Sequence, residues 1–74
     1  MKWTQEADEL VCQAYLDGRF DDAFAKMISE KYGHSVASIK MRVSNYSFLH
    51  TGVGLEHCSR QEEETYRRLI QKRQ

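Results

Sequence analysis

Apolar residues recur along this chain at steps of three and four, in four blocks separated by short polar or glycine-containing breaks. That period belongs to helices, because positions three and four apart share one face, whereas a half-buried strand alternates. In the first block Ala7, Leu10, Val11, Ala14 and Tyr15 mark the buried side of a helix. Thr4 caps it, Gly18 closes it, and Glu6, Asp8 and Glu9 sit in the early turns, where carboxylates suit the positive end of the helix dipole. Trp3 stands just before the cap and is expected to fold back on the core, the alternative being a stacking residue for a base. In the second block Phe24, Met27, Ile28 and Tyr32 form the apolar side. Asp21 caps this helix, Phe20 is placed to pack on Ala25 across the cap, and Gly33 stops it.

The third block begins at Ser35, another cap, and carries Val36, Ile39, Val43 and Tyr46 on one stripe. Its opposite face is assigned Ala37, Ser38, Met41, Arg42, Asn45 and Phe48, with Lys40 and Ser44 toward the flanks. No carboxylate falls within this helix. Small residues allow close approach to a groove, Arg and Lys suit phosphate or guanine, and Asn suits adenine. The bland alternative is an amphipathic core helix whose polar side does nothing. So few residues separate the second and third helices that they must cross at an angle, as in a helix-turn-helix.

Residues 50–58 hold Gly52 and Gly54 without helical period and read as a loop, with Val53 and Leu55 expected to pin it to the core. Ser59 and Glu62 then form a capping box that opens a fourth helix. Its apolar residues, Tyr66, Leu69 and Ile70, are too few for independence, so it must dock on the rest. Arg67, Arg68, Lys72 and Arg73 near its end match the negative pole of the dipole.

Composition narrows the function. Seventy-four residues make one small domain, and an apolar share of 41% favours a packed core over disorder. No apolar run reaches the ~20 residues of a membrane span, and no signal pattern follows Met1, so a soluble, cytoplasmic chain is expected. The net charge is zero, yet residues 1–33 hold four Lys/Arg against seven Asp/Glu, and residues 34–74 hold seven against four. An acidic first half and a basic second half could orient the molecule on a polyanion.

Cys12 and Cys58 lie far apart and read as free thiols. His50, His57 and Cys58 invite a zinc reading, but a fourth ligand would have to come from His34 or Cys12, and no metal or other cofactor is expected. Catalysis is not expected either. No Ser or Cys is placed for activation by a histidine, and so small a fold leaves little room for a pocket.

Trp3-Thr4, Glu6, Asp8 and Leu10-Val11 resemble the opening of Myb/SANT repeats, and Arg42-Val-Ser-Asn-Tyr46 is similar to their recognition helix. That resemblance covers residues 3–49 and implies a homeodomain-like fold whose third helix enters the major groove. The chain departs from it where later tryptophans of the repeat are replaced by Phe24 and by Val43 or Tyr46. Ser38-Ile-Lys-Met-Arg42, Asn45-Tyr46, Leu49, Gly52, Gly54-Leu55 and Ser59-Arg60-Gln61 resemble a segment found at the start of some bacterial HNH-endonuclease and restriction-type proteins. This second resemblance spans residues 34–66 and implies a DNA-binding module, without implying a nuclease here.

The resulting expectation is an all-α single domain: a three-helix homeodomain-like helix-turn-helix core over 3–49, a loop over 50–58, and a fourth helix over 59–73. Its expected partner is double-stranded DNA, met by Ser38, Lys40, Met41, Arg42, Ser44, Asn45 and Arg60, with a role as regulator or accessory of a restriction or mobile-element system as one expectation. The alternative is a protein-interaction module of SANT-like fold, including a homodimer, which exposed Met41 and Phe48 would favour.

Overall fold

A computed structural model describes residues 2–73, and in it every regular element is helical. The elements are α1 (Gln5–Leu16), α2 (Asp22–Tyr32), α3 (Val36–Thr51), a 3₁₀ turn (Leu55–His57) and α4 (Arg60–Arg73). No helix is long and apolar enough to cross a membrane among the described residues.

The caps fall where side-chain chemistry puts them. Thr4 Oγ1 accepts from Ala7 N–H, Asp21 Oδ1 from Phe24 N–H and Ser35 Oγ from Ser38 N–H, each satisfying a first-turn donor that the helix leaves unpaired. The capping box closes in both directions: Ser59 Oγ accepts from Glu62 N–H, and Glu62 Oε1 accepts from Ser59 N–H at 2.7 Å. Gly33 takes φ +80° after α2, a conformation open to glycine at no steric cost, so the chain turns into Ser35 within three residues. α3 runs two residues past Leu49, to Thr51, and the expected loop contracts to Gly52–Gly54 and the 3₁₀ turn.

Val11, Cys12, Ala25, Ile28, Ile39, Tyr46 and Leu69 form the core, one or more from each helix. Burying a side chain the size of Ile28 or Ile39 contributes ~1.5–3 kcal/mol, which is how a chain this short holds four helices together. α4 packs along both α1 and α3, and α3 also packs on α2. Four apolar expectations shift. Leu10 and Met27 are exposed rather than inside, as are Val53 and Leu55. The loop is held instead by Phe48, whose ring lies where a Cβ on Gly54 would meet it at 3.1 Å. Phe20 packs edge-on against Phe24.

Candidate functional site: the two sides of α3

Turning at ~100° per residue, α3 divides into an inner side toward α1 and α4 and an outer side. Arg42 precedes Tyr46 by four residues, so the two lie within ~40° of one another around the helix. Placing Arg42 on the outer face is therefore corrected. Its side chain is only 12% exposed, and Nη1 donates to Asp8 Oδ1 at 2.8 Å. Tyr46 is fully buried and its hydroxyl donates to the same Oδ1. Burial and the Asp8 charge push the Tyr46 phenol far up, so it stays a donor at any physiological pH. Asp8 Oδ2 is buried and finds no hydrogen-bond partner among the described residues.

The same cluster anchors the N-terminal arm. The Arg42 guanidinium lies 4.4 Å from the centre of the Trp3 ring, and the His34 ring stacks on Trp3 at 4.0 Å, within 5° of parallel. Gln61 Nε2 donates to Trp3 O at 2.8 Å. Trp3 thus packs on the core, as its place before the cap suggests, and joins α1, the α2–α3 turn and α4. His34 is held below its ordinary range by burial first and by the neighbouring Arg42 charge second.

Asn45 does border the outer groove, but its amide is engaged. Its Nδ2 donates to Glu62 Oε2 at 2.7 Å, so the capping-box carboxylate also ties α4 to α3. Cys58 Sγ donates to Asn45 O, and burial with the charges of Glu62, Glu63 and Glu56 raises its pKa. The acids expected to serve helix dipoles therefore do more: Asp8 and Glu62 are buried partners for α3.

The charge asymmetry between the halves of the chain is largely consumed inside the fold. Asp8 pairs with Arg42, Glu9 with Arg68, Asp17 with Arg73 and Asp22 with Lys40, each an acid of the first half with a cation of the second. Hydrogen bonds hold two of these carboxyls low: Glu9 through Gln5 first and Arg68 next, Asp17 through Arg73 first and Arg19 next. Arg60 pairs with Glu64, and Arg67 with Glu63, one turn apart on α4. These last pairs are exposed and contribute little.

What remains on the outer side is Ala37, Lys40, Met41 and Ser44, all exposed, with Phe48 half-buried. Met41 is 65% exposed. Met41, Ser44, Asn45, Phe48 and His57 line an open groove of about 420 Å³. The His57 ring stands 5.5 Å from Phe48. Ser38 is half-buried.

The zinc candidates do not converge. His50 Nδ1 hydrogen-bonds Tyr66 Oη, His57 leans on Phe48, and no group of three possible metal ligands forms among the described residues. Cys12 is buried and pushed up to about 12, mainly by desolvation, so its thiol stays protonated and unreactive. Comparison with family models, with curated proteins and with solved structures finds no match, and no family is assigned to the chain.

Proposed function

We propose that the chain is a small helical recognition module that meets a protein partner through the outer side of α3. One observation carries the reading. The side chains suited to reading a base, Arg42 and Asn45, are committed to Asp8 and Glu62, while Met41 and Phe48 are left facing the open groove. Exposed apolar groups on a helix face meet protein more readily than the charged backbone of DNA. On this reading α1 to α3 form a homeodomain-like core of the SANT interaction type, supported by the three-residue turn between α2 and α3.

A second reading keeps DNA as the partner, favoured by the absence of any carboxylate on α3 and by the small residues Ala37 and Ser44 beside Lys40. It would rest on Ser38, Lys40, Met41, Ser44 and Arg60, without Arg42 or Asn45. Few cations remain for it, so binding would be weak and indifferent to sequence.

A mobility shift with random duplex DNA at low salt separates the two. No retardation is expected. Retardation that Lys40→Ala weakens, with a salt slope reduced by about one, assigns the face to DNA. A photo-crosslinking phenylalanine analogue at position 41 is expected to give protein adducts, and the same analogue at exposed Lys26 on α2 none.

A further inference from the structure

We infer that the partner this face is built for is a second copy of the chain, docked with its α3 antiparallel to the first across a two-fold axis. The inference rests on the protein-recognition reading above and adds the partner and the register.

Ala37, Met41, Ser44 and Phe48 follow one another at steps of four, three and four. That spacing lays a seam nearly along the helix axis, as two helices need to pack lengthwise. The seam alternates small, large, small, large. Reversed and laid on itself, it is complementary: Met41 of one copy faces Ser44 of the other, Phe48 faces Ala37, and the two-fold makes each contact twice. A parallel pairing would set Met41 on Met41 and Phe48 on Phe48, leaving gaps at the small positions. The groove beside Phe48 and His57 gives the incoming helix a wall to lie against.

Charge agrees with this arrangement. The seam holds no ionised side chain, and Lys40 at its flank carries its own counter-ion, Asp22, at 3.2 Å. The two-fold therefore joins two locally neutral flanks rather than two bare cations. α3 is about 24 Å long at ~1.5 Å per residue, against a largest molecular extent of 29 Å. A contact confined to one helix face from each copy belongs with small interfaces, and the inferred dimer is of the weak, exchanging class.

Sedimentation equilibrium on the full chain, from about 10 µM to about 1 mM, is expected to show a monomer–dimer equilibrium of the weak class. Met41→Asp, which touches no core residue, is expected to weaken it at least about tenfold, with an unchanged helical spectrum. The register is tested by a size swap. Met41→Ser places small on small and Ser44→Met large on large in the antiparallel pairing, so each variant alone self-associates less than wild type, while a mixture of the two associates again. A Ser44→Met variant that dimerises more tightly than wild type overturns the antiparallel register. A dimer untouched by Met41→Asp overturns the surface, and a chain monomeric at about 1 mM overturns the inference entirely. In that last case Lys40-dependent retardation of DNA would sink the protein-recognition reading too. Its absence would leave that reading standing, with a different protein as partner.

Discussion

Toward its neighbours α3 presents Arg42 and Tyr46, with Asn45 at the edge of the outer groove, and each meets a group placed for it: Asp8 on α1 for the first two, Glu62 on α4 for the third. On its outer side the same helix presents Ala37, Lys40, Met41 and Ser44, which no other helix buries. The inner side thus sets paired polar groups among apolar core residues such as Ile39, and the outer side leaves an exposed methionine among small and polar residues. Buried polar groups hold only one arrangement, because an unpaired charge there is costly, whereas exposed apolar groups are tolerated in many surroundings. The inner side specifies how the four helices assemble, and the outer side is free for something else.

The comparison breaks most visibly at Asp8. Asp8→Ala leaves the Arg42 charge nearly enclosed and unpaired, and removes the acceptor for Tyr46, so a loss of ~3–5 kcal/mol is expected. That is much of the stability of a domain this size, and urea denaturation of the variant should show little or no folded baseline. Replacing both partners, Asp8→Leu with Arg42→Met, is expected to recover most of the loss, since well-packed apolar groups can replace a buried pair. Tyr46→Phe removes the buried donor while keeping the ring, for ~1–3 kcal/mol. Asn45→Ala removes one bond to Glu62, which retains Ser59 N–H, and about 1 kcal/mol is expected by the same urea measurement. Three costs below ~0.5 kcal/mol would mean that the inner network does not hold the fold.

Much of the architecture was legible from spacing and caps. Thr4, Asp21, Ser35 and the Ser59–Glu62 box start their helices because each presents an oxygen to the first turn, a local fact that needs no tertiary knowledge. The inner network was legible only in part. Asp8 sits beside Ala7 and three residues before Val11, on the buried face of α1, and Arg42 sits four residues before Tyr46. A carboxylate on one apolar face and an Arg–Tyr pair on another are the signal. Which faces oppose each other depends on how α1 and α3 cross, and sequence spacing within one helix is silent on that. Dipole effects explain an acid in a first turn equally well, so Asp8 and Glu62 carried no mark of their second role. The acidic and basic halves were legible too, but their pairing within one fold, rather than with a polyanion, is a tertiary fact.

Acid offers a graded way to loosen the inner side. His34, stacked on Trp3 beside Arg42, is neutral in the fold because burial first, and Arg42 second, lower its pKa. The unfolded chain takes up a proton near pH ~6.5, while the folded one resists until lower pH. Stability is therefore complete above that value and falls as the pH drops through it toward the folded pKa. Glu9 and Asp17 act in the same direction further down. Both are lowered in the fold, so their contribution is complete above ~4 and lost as the pH falls through their folded values. Urea midpoints are expected to decline in two stages between pH 8 and pH 3. His34→Phe, which keeps an aromatic ring for Trp3 but does not titrate, should remove the first stage alone. A wild-type midpoint unchanged from pH 7 to pH 5 would show that the site does not discriminate against the protonated ring.

The smallest expected effect is the one that bears most on the outer side. Met41→Ala removes an exposed side chain that packs on no core residue, so in dilute solution its cost is expected within ~0.5 kcal/mol. Ile39→Ala, two positions earlier on the same helix, removes a fully buried side chain and is expected to cost ~2–5 kcal/mol. The contrast holds only while Met41 meets water. Any partner that covers it and binds only the folded chain adds stability by mass action, in proportion to the logarithm of its concentration over its dissociation constant. If the partner is a second copy, the gap between wild type and Met41→Ala should open as protein concentration rises, with dilution closing it again. A gap that is large and independent of concentration would instead place Met41 within the fold, and the outer side of α3 would lose its claim to be a free surface.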